Sequence, residues 1–442
     1  MSHRAGAMGR RTMIRQYIKA YRWSDMLAMA RNNKADPEQC SDDFAGRLVV
    51  ITGATSGIGY ATARAYAGHG ADLLCINRNA EKSRAVCEEM EREFGVRCRD
   101  IIADLSRLDD MHRVGRWLAQ LDEPIDVLIH NAGTYLTRRV ETTDGLDTVF
   151  AVNHLSSFVI NNLILDKLRD QSCGRVLLVN SEAHRFAPWG LHLDDLNWRR
   201  HRYSGLRSYG SAKMAQLLAM IRFNELLDGS SVTINAVHPG AVRTESGKEN
   251  GRLYRWYKNN ILERNFRSAA ISADALYYLG VSAEVEGISG RFFNLTTLEN
   301  PAPPALDKAA AGELWEISRE LGRLDDPQLP PCDLGSPVGS PEPLANRRDL
   351  RLIHHQDEHG DKRKNSRRRN PQAQPEEPHE LRRQHLGFGV SIGDEPLDPV
   401  LRGDITSNPD QPGEEEQRER QREPTDLPDA AKNDAEHDTG RD

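Results

Sequence analysis

Residues 47–59, RLVVITGATSGIG, decide the fold class. The first half of this stretch is a short continuous apolar run, which is typical of a strand buried on both faces of a parallel sheet. Gly53, Gly57 and Gly59 follow, and a helical pattern extends from Tyr60. In a strand–turn–helix unit these glycines allow a tight turn, a close approach of backbone to pyrophosphate, and close packing of helix on strand. The stretch therefore predicts a dinucleotide-binding turn, and a plain loop between strand and helix is the alternative.

A second apolar run, residues 72–76, ends at Asn77 and Arg78. In a dinucleotide fold this position meets the adenosine ribose, where an acidic residue accepts hydrogen bonds from the 2′-hydroxyl and an arginine favours a 2′-phosphate. We therefore predict NADP(H) rather than NAD(H), with Arg78 as the phosphate partner and Ser56 or Asn77 as helpers. The alternative is that Arg78 is a solvated charge at the start of a helix.

Strands and helical stretches alternate further along the chain. Residues 96–104 and 125–130 each form an apolar run that leads into a loop. This alternation predicts an α/β domain with a doubly wound parallel sheet of the Rossmann type, whose ligands bind at the carboxyl ends of the strands.

Groups suited to acid–base chemistry follow in the second half of this domain. Residues 175–181, RVLLVNS, predict a buried strand with Ser181 at its carboxyl end. Tyr209 and Lys213 are four apart in a helical pattern and share a face. Hydride transfer to a carbonyl needs a proton donor at the oxygen, and the reverse reaction needs a base. A free tyrosine has a pKa of about 10, which a nearby lysine ammonium lowers.

A helical Tyr–Lys pair is common, and an exposed pair is the alternative interpretation. The order of the motifs argues against it: TGATSGIG at 52–59, NAG at 131–133, then Asn153, Ser181, Tyr209 and Lys213. This order resembles the short-chain dehydrogenase/reductase superfamily. The resemblance covers residues 44–323.

The resemblance implies a role for each matching residue. Asn153, Ser181, Tyr209 and Lys213 match the catalytic tetrad of the family. Tyr209 would be the acid/base, Ser181 would orient the substrate oxygen, and Lys213 would bond the nicotinamide ribose. Asn153 would hold Lys213 through a water. Together with the residues of the glycine-rich turn and of the position that meets the adenosine ribose, the resemblance gives this set of predicted cofactor contacts: Gly53, Ser56, Gly57, Ile58, Gly59, Asn77, Arg78, Asp104, Leu105, Asn131, Ala132, Gly133, Tyr209, Lys213, Pro239, Gly240, Val242 and Thr244.

Longer stretches resemble the retinol-dehydrogenase-like branch: DGLDTVFAVNHL at 144–155, NSEAH at 180–184, DDLNW at 194–198 and GRFFNLTTLENPAPPALD at 290–307. Asn180 departs from the branch, which usually has a serine there. The interval from Ser181 to Tyr209 is slightly long, which suggests a modified substrate loop, and the membrane anchor of the branch is not evident.

Aromatic residues concentrate in two segments expected to form the substrate pocket. Residues 184–206 contain Phe186, Trp189 and Trp198, and residues 245–267 contain Leu253, Tyr254, Trp256 and Tyr257. Such side chains suit a lipophilic carbonyl or alcohol. A dimer surface or a local core is an equal alternative. The superfamily is commonly dimeric or tetrameric, so a homo-oligomer is left open.

The amino-acid composition indicates which part of the 442-residue chain forms a folded domain. Residues 326–442 hold 15 of the 22 prolines and a single aromatic residue, Phe388. Such a segment buries too little apolar surface to offset the entropy of ordering it. We predict an N-terminal extension at 1–43, one domain at 44–323, and a disordered, charged tail at 324–442.

The net charge of −7 argues against nucleic acid as a partner. The basic run KRKNSRRR at 362–369 is interpreted as solvated. The six cysteines show no metal-ligand or CxxC spacing, so we predict a reduced, cytoplasmic protein without a metal site.

No run reaches the roughly 18–20 apolar residues of a membrane span. Residues 12–29 have helical apolar spacing, which favours a helix packed on the enzyme body or a second subunit over an interfacial helix in peripheral contact with a membrane.

The sequence thus predicts an NADP(H)-dependent oxidoreductase that transfers hydride between nicotinamide and a small lipophilic carbonyl or alcohol. The alternative is a cofactor-binding scaffold or redox-sensing regulator with little turnover, which would have no physical need of all four tetrad residues.

Overall fold

A computed structural model describes residues 17–240 and 268–325 of the chain. Within these ranges one sheet of eight strands forms, in the order β3-β2-β1-β4-β5-β6-β7-β8. All neighbouring strands are parallel except β7 and β8, which form an antiparallel pair. The strands are β1 (Leu48–Thr52), β2 (Asp72–Asn77), β3 (Cys98–Ile102), β4 (Val127–His130), β5 (Gly174–Val179), β6 (Val232–His238), β7 (Phe292–Asn294) and β8 (Thr297–Glu299).

Helices cover both faces of the sheet. They are α1 (Trp23–Asn32), α2 (Gly57–Gly68), α3 (Ala80–Phe94), α4 (Leu108–Ala119), α5 (Thr148–Phe150), α6 (Ser156–Leu163), α7 (Leu165–Asp170), α8 (Gly205–Leu226), α9 (Ala269–Val281) and α10 (Lys308–Leu321). A π-helical segment, Ala151–Leu155, joins α5 to α6. Short 3₁₀ helices lie at Glu182–Phe186, Ala283–Val285 and Pro303–Leu306. The predicted doubly wound, Rossmann-type α/β fold is confirmed.

Every residue of β1 is buried, as the continuous apolar run predicts. Because side chains alternate along a strand, Val49 and Ile51 join a core with Ala63 of α2 on one face, whereas Val50 joins a core with Met214 of α8 on the other. Two apolar layers therefore sandwich the sheet and fix the carboxyl ends of its strands at a common edge.

The N-terminal segment packs on the enzyme body. The Tyr17 hydroxyl donates to Asp307 Oδ2 at 2.8 Å, and Asn32 Nδ2 donates to Glu299 Oε2 at 2.9 Å. These contacts agree with the favoured prediction for residues 12–29, although α1 begins only at Trp23 and ends beyond the predicted range.

Three predictions fall outside the described residues: Val242 and Thr244 as cofactor contacts, the pocket segment 245–267, and a disordered tail over residues 326–442.

Candidate active site

The glycine-rich turn connects β1 to α2 in a conformation that requires its glycines. Gly53 has φ +73°, in the left-handed region that favours glycine. A Cβ at Gly59 would lie 3.0 Å from the carbonyl carbon of Gly53 and closer still to its oxygen and to Asn131 Nδ2. Gly53 therefore makes the turn and Gly59 allows helix to pack on strand, as predicted. Ser56 is the N-cap residue of α2, and the first turn of the helix faces the cleft described next.

A cleft of about 850 Å³ opens along the carboxyl ends of the strands. Most of the predicted site residues line it, namely Gly53, Ser56, Gly57, Ile58, Asn77, Arg78, Asp104, Leu105, Asn131, Ala132, Gly133, Tyr209, Lys213 and Pro239. Gly59 lies behind the turn. Gly240 follows Pro239 with φ +81° and packs toward Leu295. The sheet edge thus brings together residues that are far apart in sequence, as expected of a doubly wound fold.

The Asn77 side chain, at the predicted ribose end of the cleft, makes hydrogen bonds within the protein. Its Oδ1 accepts from the Ala54 N–H at 2.7 Å and its Nδ2 donates to Ser83 Oγ at 2.9 Å. The buried amide therefore ties the glycine-rich turn to α3, while its role as a helper at the phosphate stays a prediction. Arg78 is exposed and lines the cleft, together with Lys82 one turn into α3. Sequence reasoning missed Lys82, although a lysine in the first turn of the helix that follows Arg78 was a usable signal.

Asn153 lies in the π-helical segment and is buried. Its Nδ2 donates to the carbonyls of Thr134 and Val149, both at 2.8 Å, and its Oδ1 accepts from the Thr134 N–H at 3.3 Å. A Cβ at Gly133 would lie 2.8 Å from this Oδ1. Asn153 therefore fixes the loop of the NAG motif. Asp104, on the loop after β3, accepts from both the amide and the hydroxyl of Ser106.

Ser181, Tyr209 and Lys213 meet beyond the end of β5. Ser181 lies close enough to the Tyr209 side chain to lower its pKa, and Lys213 Nζ lies 5.8 Å from the Tyr209 ring centroid. The ammonium of Lys213 donates to the Val179 carbonyl at 2.7 Å. The edge of the Tyr135 ring also packs on the Tyr209 ring, at 5.8 Å between centroids.

The pKa values at this site differ from the expected pattern. Burial raises the pKa of Tyr209, and the Ser181 hydrogen bond opposes the rise. Burial also lowers the pKa of Lys213 to about 7. We expected Lys213 to lower the pKa of Tyr209, but in the structure the lowering influence comes from Ser181. Burial dominates at both groups because it penalises whichever form is charged.

Asn180, the departure from the branch pattern, ties β5 to α8. Its Nδ2 donates to the Lys213 carbonyl and to Gln216 Oε1, both at 2.9 Å, and its Oδ1 accepts from the Ser181 N–H at 2.8 Å. One buried side chain therefore sets the position of the strand end that carries Ser181 relative to the helix that carries Lys213.

The aromatic residues of the 184–206 loop do not form the cleft. Trp189 and Trp198 are 6% exposed and belong to the local core, and Phe186 is half exposed away from the lining. Trp189 and Trp198 therefore match the alternative of a local core, where buried indoles supply packing area. The wall near Tyr209 comes from elements that sequence reasoning missed: Thr134, Leu136, Arg138, Val140, Thr148 and Val152.

Three cysteines converge despite their sequence separation. Cys98 Sγ lies 2.8 Å from Cys87 Sγ and 4.0 Å from Cys75 Sγ, in the apolar core between β2, β3 and α3. Contact with the Cys75 thiol, together with burial, raises the pKa of Cys87 and Cys98. Hydrogen bonding from Cys87 and Cys98 lowers the pKa of Cys75, so these surroundings favour at most one thiolate. Since metal ligation requires thiolates, the absence of a metal stays our prediction. No helix in the described ranges is long and apolar enough to cross a membrane.

Comparison with known proteins identifies the class that this fold and site define. A family model described as short chain dehydrogenase matches residues 47–191. Human retinol dehydrogenase 13 is 33% identical over 291 residues, covering 64% of this chain and 87% of that protein. Human retinol dehydrogenase 14 is 32% identical over 292 residues, covering 62% and 86%. A crystal structure of an uncharacterized protein from Mycobacterium Paratuberculosis is 29% identical, with a TM-score of 0.49, and covers 66% of this chain and 97% of that one. The chain belongs to the short-chain dehydrogenase/reductase superfamily, in its retinol-dehydrogenase-like branch.

Proposed function

We propose that this chain is an NADP(H)-dependent oxidoreductase that interconverts a lipophilic carbonyl and its alcohol, with Tyr209 as the acid/base. The observation that carries the proposal is that Tyr209 and Lys213 line one cleft with the glycine-rich turn, and that Ser181 lies beside Tyr209. The cradle fits a dinucleotide because Gly59 leaves no room for a Cβ and the start of α2 faces the cleft, where N–H groups favour phosphate.

The preference for NADP(H) rests on charge at the end of β2. Arg78 and Lys82 line the cleft there, and β2 ends in Asn77 rather than in a carboxylate. A 2′-phosphate carries negative charge that two cations attract, whereas a 2′-hydroxyl gains little from them.

Each residue around the reacting oxygen has a separate role in the reaction. The bound nicotinamide supplies or accepts the hydride. Tyr209 donates its phenolic proton to the carbonyl oxygen during reduction and takes it back during oxidation, while Ser181 holds that oxygen by a hydrogen bond. We propose that Lys213, whose Nζ lies 5.8 Å from the Tyr209 ring centroid, adds to the influence of Ser181 by stabilising the phenolate when the lysine is charged. Since the pKa of Lys213 is lowered to about 7, its charged fraction decreases as pH rises through neutrality.

The substrate class follows from the cleft wall. Leu136, Val140 and Val152 form an apolar wall in the same cleft as Tyr209. Such a wall favours a lipophilic carbonyl compound and excludes water from the reacting atoms. The free cysteines among the described residues favour a cytoplasmic location.

Titration of the purified protein with NADPH and NADH, followed by a panel of lipophilic aldehydes and ketones, tests the proposal. We expect NADPH to bind more tightly, and Arg78→Ala to weaken NADPH far more than NADH. Tyr209→Phe should abolish turnover while NADPH still binds. Tight NADPH binding without turnover of any substrate would favour a scaffold or redox sensor, and no binding of either cofactor would refute the proposal.

A further inference from the structure

A buried polar network joins the N-terminal segment to the turn that carries Ser181. The turn is the 3₁₀ helix Glu182–Phe186, which begins directly after Ser181. Within it, Arg185 Nε contacts Glu182 Oε2 at 2.5 Å, and Arg185 Nη2 contacts Glu299 Oε1 of β8 at 2.7 Å. The Arg185 and Glu299 side chains are only 8% and 1% exposed, so solvent screens these pairs weakly.

Asn32 of α1 completes the network from outside the dinucleotide fold. Its Nδ2 donates to Glu299 Oε2 at 2.9 Å, and Asn294 donates to the same oxygen at 3.2 Å. Asn294 also donates to Asn33 Oδ1 at 2.9 Å. A buried carboxylate needs several donors to stay charged, so removal of Asn32 would leave Glu299 with fewer partners and loosen its hold on Arg185.

Hydrogen bonds within the turn connect Ser181 to the anchored Arg185. The Ser181 carbonyl accepts from His184 Nδ1 at 2.8 Å, and the Ser181 hydroxyl accepts from the Ala183 N–H at 3.1 Å. His184 is fully buried, and its Nε2 accepts from the Ala302 N–H at 3.0 Å. The turn is therefore anchored at Arg185 and His184, and Ser181, directly before it, lies beside Tyr209.

We propose that Asn32, Glu299 and Arg185 are positioning residues, which make the N-terminal segment a strut that holds Ser181 against Tyr209. This inference rests on the proposed oxidoreductase function. A small displacement of a catalytic group can cost a large part of the rate, so loss of the strut should reduce kcat rather than cofactor affinity. The cofactor turn lies on other elements, β1 and α2, and none of the three residues lines the cleft.

The test compares Asn32→Ala with Gln39→Ala, a matched amide deletion in the same segment, where Gln39 is exposed and its amide donates to the nearby Pro37 carbonyl. We expect Asn32→Ala to lower kcat about tenfold with NADPH affinity unchanged, and Gln39→Ala to have no effect. Arg185→Lys, which keeps the charge but not the fork of donors, should lose less than Arg185→Ala. In a Ser181→Ala background, Asn32→Ala should cost little more, because both act on one group.

Hydrogen exchange of a peptide spanning residues 181–186 gives a readout that does not depend on turnover. We expect faster exchange in Asn32→Ala than in the unaltered protein or Gln39→Ala. If exchange and kcat are both unchanged, or if Asn32→Ala costs as much with Ser181→Ala as without it, the strut is refuted. If the unaltered protein turns over no substrate, the proposed function fails, while the exchange rates still decide whether the strut exists.

Discussion

Replacement of Gly59 by alanine should break the dinucleotide cradle by a steric clash that the structure locates. The new Cβ would sit 3.0 Å from the Gly53 carbonyl carbon, whereas carbon atoms in contact are about 3.5–4.0 Å apart. Two of the overlapping atoms belong to the Gly53 peptide, and a backbone peptide cannot rotate away as a side chain can. The third, Asn131 Nδ2, is held by the Thr52 and Gly53 carbonyls at 3.0 and 2.9 Å.

The expected cost follows from these contacts. Overpacking of a rigid site costs about 1–3 kcal/mol, and each displaced Asn131 hydrogen bond costs about 1 kcal/mol more. We therefore expect Gly59→Ala to lower the free energy of unfolding by about 3–5 kcal/mol. Gly68→Ala is the matched control at the other end of α2, where a Cβ would make an ordinary 3.6 Å contact with Phe94. That change should be neutral or stabilise by up to about 1 kcal/mol.

Urea unfolding of the three proteins measures this difference directly, and NADPH titration measures its effect on the cradle. Gly59→Ala should also weaken NADPH at least tenfold, since the peptide that the clash moves borders the cofactor cleft. An unfolding free energy within about 0.5 kcal/mol of the unaltered protein, or an equal loss in Gly68→Ala, would refute the steric argument.

Three further outcomes follow from buried polar groups and thiols. Asn180→Ala should lower the unfolding free energy by about 2–4 kcal/mol, because three hydrogen bonds are lost at a buried site, and an unchanged urea midpoint would contradict this. Burial raises the pKa of Glu182 from 4.5 to about 7, with Arg185 opposing and Glu299 adding to the rise. Because the folded pKa is the higher one, stability should fall as pH rises from about 4.5 to 7, and Glu182→Gln should flatten that slope; equal slopes would show another group to be responsible. Cys98→Ser should cost about 1–3 kcal/mol by burying a hydroxyl, with the exposed Cys173→Ser as its control, and a chelator should leave the midpoint unchanged unless the thiols hold a metal.

The sequence predicted the elements whose signals are local. The run before Gly53 gave β1, and the fixed offsets of the glycines gave the turn, since both depend on residues within one strand–turn–helix unit. Tyr209 and Lys213 were found because a spacing of four on a helix places two side chains on one face. Their proximity to Ser181 followed from the rule that parallel strands deliver their carboxyl ends to one edge.

The structural features that could not be predicted from the sequence depend on contacts between distant segments. Asn32 and Glu299 are 267 residues apart, and neither belongs to a motif. Trp198 was left open between the pocket and a local core, because an aromatic residue in a loop suits either, and only the packed loop distinguishes the two. The effect of Lys213 on the pKa of Tyr209 was misjudged for a similar reason, because the depth of burial of both groups depends on how α8 lies against β5.

Asparagine amides hold the sheet edge together at four points. Asn77 ends β2, Asn131 follows β4, Asn153 lies in the π-helical segment and Asn180 follows β5, and each bonds backbone of a neighbouring segment. An amide suits this task because it donates to carbonyls, which a carboxylate cannot do, and accepts from N–H groups without bringing a charge into a buried place. A cleft meant for phosphates also gains from neutral supports, since nearby carboxylates would repel the ligand. The same residues that hold the loops therefore leave the charge of the cleft to Arg78 and its neighbours.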